Sequence, residues 1–361
     1  MHAISASGLR DAILERLRLQ GYTVASDGSI EPPPLDDKSA MRALHAHAVE
    51  TRRARAGRTM ARHEPALLEH IANGDEVEPS RIRPVLEPVV TEAQSRLFRY
   101  ATLHWSLPVS CGYGRRMRFL VRDGSNGKLM GVMGLTDAMW NIGVRDQWLG
   151  WSPEAKHARL RYVVDAFALG AVPPYSGLLC GKFVAMASCC AETRRAWADA
   201  KGLPFALLTT TSAFGRSALY NRLKYRDRWI MRSIGYTQGW GVFHIPEDLY
   251  DSILAYARAR WGTPPKDSNA HWSCRMEVCR RVMRDIGLSG NLLKHGVPRE
   301  VFVAPQGAHA IEFLRGETDD FTPYPETLSD MWAFFYTRWL QPRMDRTEWR
   351  AFRRDEWRLW T

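Results

Sequence analysis

The sequence predicts a mixed α/β protein, with a central sheet, flanking helices, and helical regions at both ends. Three observations carry that reading. Between residues 105 and 245, apolar runs of strand length alternate with helix-length segments. Glycine-punctuated polar segments stand where those strands end, which is where α/β proteins gather ligand-facing backbone. On both sides of this stretch, apolar residues repeat at helical spacing.

Taken in order, residues 7–20 read as a helix capped by Ser7, with Leu9, Ile13, Leu14 and Leu17 on one face and Gly21 ending it. Tyr22 to Ile30 suggests a short β element turning at Asp27-Gly28. Pro32, Pro33 and Pro34 break the chain. Asp36 to Arg62 carries a helical pattern with Arg42, Arg52, Arg53, Arg55, Arg58 and Arg62. It reads either as a solvated charged helix or as one that meets a phosphate backbone. Residues 64–100 look helical with proline interruptions. Strands are expected at Met117–Val121, Leu129–Leu135, Tyr162–Leu169 and Phe205–Leu208, with helices near 177–190 and 216–224. Helices return at Leu249–Trp261, Glu277–Ile286 and Leu328–Trp339, after a linker at Pro264-Pro265. The last stretch, Thr347–Thr361, reads as a helix with an aromatic face. It either docks on the core or stacks on bases. We divide the chain into a basic, winged-helix-like region at 1–95, an α/β core at 96–246 and a helical region at 247–361.

The charge narrows the partner. Fifty Lys and Arg against 39 Asp and Glu give the 361-residue chain a net charge of +11. Much of the excess is arginine, whose planar fork matches phosphate. Nucleic acid, DNA foremost, or a nucleotide is the expected partner. No apolar run approaches the ~20 residues of a membrane helix, and no signal pattern opens the chain. A soluble, cytoplasmic protein is expected. The six cysteines, with Cys189 and Cys190 adjacent, make no disulfide framework at this length.

Four segments hold the candidate chemistry. In Gly112-Tyr-Gly-Arg-Arg-Met-Arg118, alternation sends Arg116 and Arg118 to one strand face, and with Arg115 they concentrate charge for phosphate. In Gly170–Lys182, Gly177, Gly181 and Lys182 open a helix whose free amides suit an anion, or else serve close packing. The spacing there is not that of a P-loop. In Thr209–Arg222, Ser217 caps a helix carrying Tyr220 and Asn221, and Arg216 adds charge. Gly235-Tyr-Thr-Gln-Gly-Trp-Gly241 is the fourth. Asp165, inside an apolar strand, must be paired, hydrogen-bonded or protonated, and reads as a general base or as a structural partner for arginine. Asp137, Trp140, Arg145, Asp146, Trp148 and Trp151 form a dense aromatic and charged patch, read as core or as a base-stacking pocket. His271, Cys274, Cys279 and His295 match no common zinc spacing, so no metal is expected. His104 and His244 have no sequence-local partner.

Together these segments resemble the Druantia anti-phage system protein DruA family. The likeness runs through Leu97-Phe-Arg, His104-Trp-Ser, Gly112-Tyr-Gly-Arg-Arg-Met-Arg-Phe, Arg145-Asp-Gln-Trp-Leu-Gly-Trp151 and Leu169-Gly-Ala-Val-Pro-Pro-Tyr. It continues through Leu179-Cys-Gly-Lys182, Thr209–Ser217, Tyr220-Asn-Arg-Leu, Gly235–Gly241 and His295-Gly-Val-Pro-Arg-Glu, over nearly the whole chain. Departures are Cys180, where the resemblance leads us to expect Gly, and Val242, where it leads us to expect His. The resemblance implies an anti-phage defence protein acting near nucleic acid beside other defence subunits. The strand–helix order from 117 to 245 also looks like a GNAT-type acetyltransferase core. In that fold a strand runs into a helix whose amides hold a cofactor pyrophosphate, the place of Leu169–Lys182 here. The chain lacks the usual Arg/Gln-x-x-Gly-x-Gly/Ala loop, so the donor is open between acetyl-CoA and another nucleotide-containing molecule.

We therefore expect a GNAT-like group transferase acting on a base. Gly177, Gly181 and Lys182 would hold cofactor; Arg115, Arg116, Arg118, Arg216 and Asn221 would hold phosphate; Asp165 would be base, and Tyr220 or Ser217 proton donor or relay. The alternative is a non-catalytic DNA-binding subunit, for which Arg52, Arg53 and Arg55 would matter and Asp165 would not. The first reading requires Arg116, Lys182 and Arg216 to share one pocket.

Overall fold

The apolar runs around Phe119 and Met133 fold back on each other, and the sheet grows outward from that pair. The structure, a computed structural model, describes residues 5–25, 29–110, 112, 114–241, 243–262 and 272–360. Before the sheet come α1 (Ala6–Leu19), the hairpin β1 (Thr23–Val24) and β2 (Ile30–Glu31), α2 (Lys38–Met60) and α3 (Glu64–Leu68). β3 (Pro84–Pro88) and α4 (Glu92–Leu103) lead to β4 (Arg116–Asp123) and β5 (Leu129–Asp137). Then follow α5 (Gly143–Leu149), α6 (Pro153–Arg159), β6 (Val163–Ala171), α7 (Cys180–Ala187), α8 (Ala191–Lys201) and β7 (Leu207–Thr211). A small hairpin, β8 (Lys224–Tyr225) and β9 (Arg228–Trp229), precedes β10 (Arg232–Tyr236), α9 (Glu247–Trp261), α10 (Trp272–Asp285) and β11 (Glu300–Pro305). The hairpin β12 (Gly307–Ala308) and β13 (Thr322–Pro323) encloses α11 (Ala310–Arg315), and α12 (Leu328–Phe335) follows.

The seven-stranded sheet has the order β10-β11-β7-β6-β5-β4-β3. Its pairs are antiparallel except β6 with β7, which run parallel over Val163–Asp165 and Leu207–Thr209. Parallel neighbours need a long crossover, and α7 and α8 supply it. Strand alternation then builds two cores. Phe119, Val121, Met133, Leu135, Val164, Leu208 and Phe302 face α7, α8 and α12. On the other face, Leu120, Val132 and Ala168 pack under α2, α3 and α4, while Val163, Leu207 and Val303 pack under α5, α6 and α11. A separate cluster joins α1 and α2 to α9 and α10.

The boundaries drawn at 95/96 and 246/247 cut through this sheet, because β3 and β11 come from the flanking stretches. β3 lies where a proline-broken helix was expected. Its prolines at both ends leave donors missing from a ladder, which suits the sheet edge it occupies. β7 starts two residues later than expected and takes in the threonine run. No helix forms at 216–224. Arg222 takes a left-handed φ of 62°, and Ser217 Oγ accepts the Leu219 and Tyr220 amides in a simple turn instead. At the N-terminus Ser5, not Ser7, caps α1. The C-terminal stretch forms two 3-10 turns, Glu348–Ala351 and Arg354–Trp357, and its aromatics dock inward. Trp349 is buried, Trp357 stacks on His104 at 3.6 Å, and Trp360 Nε1 donates to Arg53 O. The Asp27-Gly28 turn, the Pro264-Pro265 linker, Val242 and His271 lie outside the described residues.

Candidate functional site

Strand register places four polar side chains in one row across the sheet: Arg116, Thr136, Asp165 and Thr209. Arg118, two residues along β4, shares their face. The row lies between the two apolar clusters of that face, and Asp165 is half-buried there. The Thr209 hydroxyl donates to Asp165 Oδ1, and the Met139 amide donates to Oδ2 at 2.9 Å. Burial pushes the Asp165 carboxyl up to about 6, against the Met139 amide and the nearby Arg145 charge, which act to lower it. Arg118 stands over the Phe98 ring at 5.5 Å, and burial beside Arg116 lowers its pKa.

Arg145 was read from sequence as part of a dense aromatic and charged patch, either core or a base-stacking pocket. It is fully buried and builds the loop above Asp165. Its guanidinium donates to Met139 O at 2.8 Å, Trp140 O at 3.1 Å and Asp146 Oδ1 at 2.7 Å. The loop so held leaves Met139 47% and Trp140 51% exposed. Trp148 and Trp151 turn inward under α5, α6 and α11 instead. Beside Trp140 opens a cleft of about 410 Å³, lined by Arg115, Asp137, His157, Leu160 and Arg161 among others. Lys156 Nζ sits over the Trp140 ring at 5.1 Å. Arg115 is tied to Asp137, with Nε to Oδ1 and the amide to Oδ2 both 2.8 Å. Gly114 permits this approach: a Cβ there would stand 2.2 Å from Asp137 Oδ2.

The remaining candidates lie elsewhere. Lys182 belongs to α7 on the opposite sheet face. Its Nζ donates to Ala218 O at 3.2 Å and Leu219 O at 2.7 Å, and burial lowers its pKa. Gly181 packs on Leu219, and Gly177 on Trp349. The amides of Leu178, Leu179, Cys180 and Lys182 already donate to main-chain carbonyls. Tyr220 is buried against Phe302 and bonded to Thr210, and burial raises it to about 12. Thr210 and Thr209 point to opposite faces, so Tyr220 and Asp165 do not meet. Asn221 bonds back to Ser217 O at 2.5 Å, and the Ser217 amide to Glu300 at 2.8 Å. Arg216 is exposed. The pocket expected to unite Arg116, Lys182 and Arg216 is therefore not built, because strand alternation separates the first two. On α2, Arg52 and Arg53 donate to the carbonyls of Val109 and Leu103, and Arg55 pairs with Glu247 and Asp251. All three tie the structure together. Among the described residues no group of His, Cys, Asp and Glu could hold a metal ion, and no helix is long and apolar enough to cross a membrane.

The model of the family described as Druantia protein DruA matches residues 35–316, which takes in the row, its loop and the cleft. The chain belongs to the Druantia DruA family. It is 35% identical, over 98% of its length and 89% of the relative's, to the Druantia protein DruA of Escherichia coli (strain UMEA 4076-1). No solved structure matches it. DruA membership makes it a component of an anti-phage defence system. The DruA-like segments Gly112–Phe119, Arg145–Trp151 and Thr209–Ser217 meet around Asp165, although far apart in sequence. Sequence reasoning missed Arg145 as the organiser, and its one signal was a charge amid tryptophans with no apolar periodicity to explain it.

Proposed function

We propose that this DruA-family chain is a nucleic-acid-binding component of its defence system, and that the surface around Trp140 is where a strand is held. One observation carries the reading: an exposed tryptophan borders a cleft lined by Arg115, Arg161 and His157. An aromatic face accepts any base, and the cations follow the backbone. Arg116 and Arg118 extend the positive charge along the adjoining strand. The net charge of +11 suits such a partner. DNA is the expected form, presented to other subunits of the system.

The test is binding of a fluorescent single-stranded oligonucleotide across a salt series. Trp140→Ala should weaken binding by about 1–3 kcal/mol, the worth of one base–aromatic stack, with the salt slope unchanged. Arg161→Ala should lower that slope by about one. Equal affinity in wild type and Trp140→Ala would remove the cleft from the interface.

A second reading, GNAT-like group transfer to a base, draws support from Asp165. A carboxyl held near pH 6 beneath an open loop is suited to general-base work. The crossover through α7 beside the parallel pair β6 and β7 also favours it. The filled start of α7 weighs against a pyrophosphate there. On this reading Asp165→Asn abolishes protection against phage and leaves oligonucleotide binding intact.

A further inference from the structure

Two DruA-like segments, Thr209–Ser217 and His295–Glu300, and the pair Phe243-His244 come together elsewhere, between α2, the start of β11 and the β1–β2 hairpin. They supply Phe214, Phe243 with His244, His295, and Arg299. Tyr22 and His45 join them from the N-terminal helical region, all but sealed from solvent at 3% and 2% exposure. His45 stacks on Phe243 at 4.5 Å, His295 meets the same ring at 4.3 Å, and Arg299 stands over it at 5.5 Å.

The Arg299 guanidinium is only partly exposed and stands over an aromatic ring, where a charge that has shed part of its water gains from an anionic partner. Among the described residues nothing hydrogen-bonds or ion-pairs with the Arg299 guanidinium. The neighbouring Glu300 carboxylate is turned to the Ser217 amide at 2.8 Å. The surrounding polar atoms are equally unmatched: Tyr22 Oη, His45 Nε2 and His244 Nδ1 are buried without a partner. His295 differs, since its Nδ1 accepts the Val297 amide at 3.1 Å and it is also bonded to the Trp240 backbone. His244 Nε2 donates to Leu292 O at 2.6 Å, so in the neutral ring Nδ1 is a bare acceptor. Burial and the Arg299 charge both hold His45 down at about 3, which keeps it neutral. The same charge acts on Tyr22 and His295, so Arg299 sits within electrostatic reach of all three.

We propose that Arg299 anchors a binding site for one phosphate group, with Tyr22 Oη and His45 Nε2 donating to its oxygens and His244 Nδ1 accepting from a protonated oxygen. The donors match an oxyanion. The acceptor favours phosphate, which keeps a proton on one oxygen at neutral pH, over carboxylate, which does not.

The test titrates the full chain with inorganic phosphate, and separately with acetate, at matched ionic strength in chloride, by calorimetry and thermal shift. Tyr22→Phe removes a hydroxyl that bonds nothing in the protein, so its fold should be kept. Saturable phosphate binding is expected in wild type, weakened about fivefold in Tyr22→Phe, the effect of one hydrogen bond, and lost in Arg299→Gln. Should Arg299→Gln fail to fold, Tyr22→Phe decides. No saturable phosphate binding, or equal binding in wild type and Tyr22→Phe, overturns the proposal. Acetate binding as tightly as phosphate overturns the phosphate assignment. Arg161→Ala, which removes a cation from the cleft, should leave this phosphate binding unchanged, which separates this site from the cleft.

Discussion

Asp165 holds its proton to a higher pH than an exposed carboxyl, and the consequence for stability has a definite sign. Its folded value is about 6 against an ordinary 3.8. The folded state therefore binds the proton more tightly. The stabilisation is full below about pH 3.8 and is lost as pH rises through about 6. Asn at this position keeps an oxygen to accept the Met139 amide, turns its NH2 to the Thr209 hydroxyl, which accepts in place of donating, and does not titrate. The stability of Asp165→Asn relative to wild type should rise between pH 4 and pH 7, by up to ~3 kcal/mol. Paired urea melts across that range measure it, and a difference constant with pH would mean that the carboxyl ionises normally. From sequence, Asp165 was legible as a residue that must be paired or protonated. Its partners were not, because Thr209, Met139 and Arg145 reach it through strand register and a loop.

At the scale of elements, the C-terminal stretch is held by glycines that face it. A Cβ on Gly57 would stand 2.7 Å from the Trp360 ring, and one on Gly177 2.8 Å from Trp349 Cβ. Gly74 is tightest, with Arg350 O only 2.3 Å from such a Cβ and its own amide donating to Phe352 O at 2.9 Å. Backbone cannot step aside as a flexible side chain can. Gly74→Ala should cost about 1–3 kcal/mol and should speed proteolysis within 345–360. Gly143→Ala, with nothing within 4 Å of the added carbon, is the control and should stay within about 0.5 kcal/mol of wild type. Equal protease resistance in both variants would mean that the segment is not clamped at Gly74. The long helices α1, α2 and α9 were legible because their apolar spacing persists over many residues. β3, β10 and the 3-10 turns of the C-terminus were not, because short edge elements take their conformation from what they pack against.

Across the whole molecule, the buried His45, His244 and His295 and the half-buried His104 set the response to acid. Burial lowers His45, His104 and His295 to about 3 and His244 to about 4. Each is neutral in the folded state and charges readily once unfolded. Their contribution is present above the ordinary value of 6.5 and is lost as pH falls toward the folded values. Each removes about 1.4 kcal/mol per pH unit in that window, and Asp165 opposes them. The urea midpoint should therefore fall steeply from pH 6.5 to 4.5. A flat profile would mean that these rings are solvated. Two of the four, His45 and His104, join elements distant in sequence: His45 from α2 stacks on Phe243, and His104 stacks on Trp357. Acid should thus loosen both the N-terminal helices and the C-terminal clamp.

By itself the sequence determined the α/β class, the cationic character and the segments that mark the family, since composition, periodicity and motif spacing are local properties. The tertiary structure alone decided which of those segments meet. Strand alternation set Asp165 and Tyr220 on opposite faces of one sheet, an effect of pleat and register that no local pattern encodes. Packing turned Trp148 and Trp151 inward and left Trp140 exposed, because only the assembled core fixes which apolar face is covered.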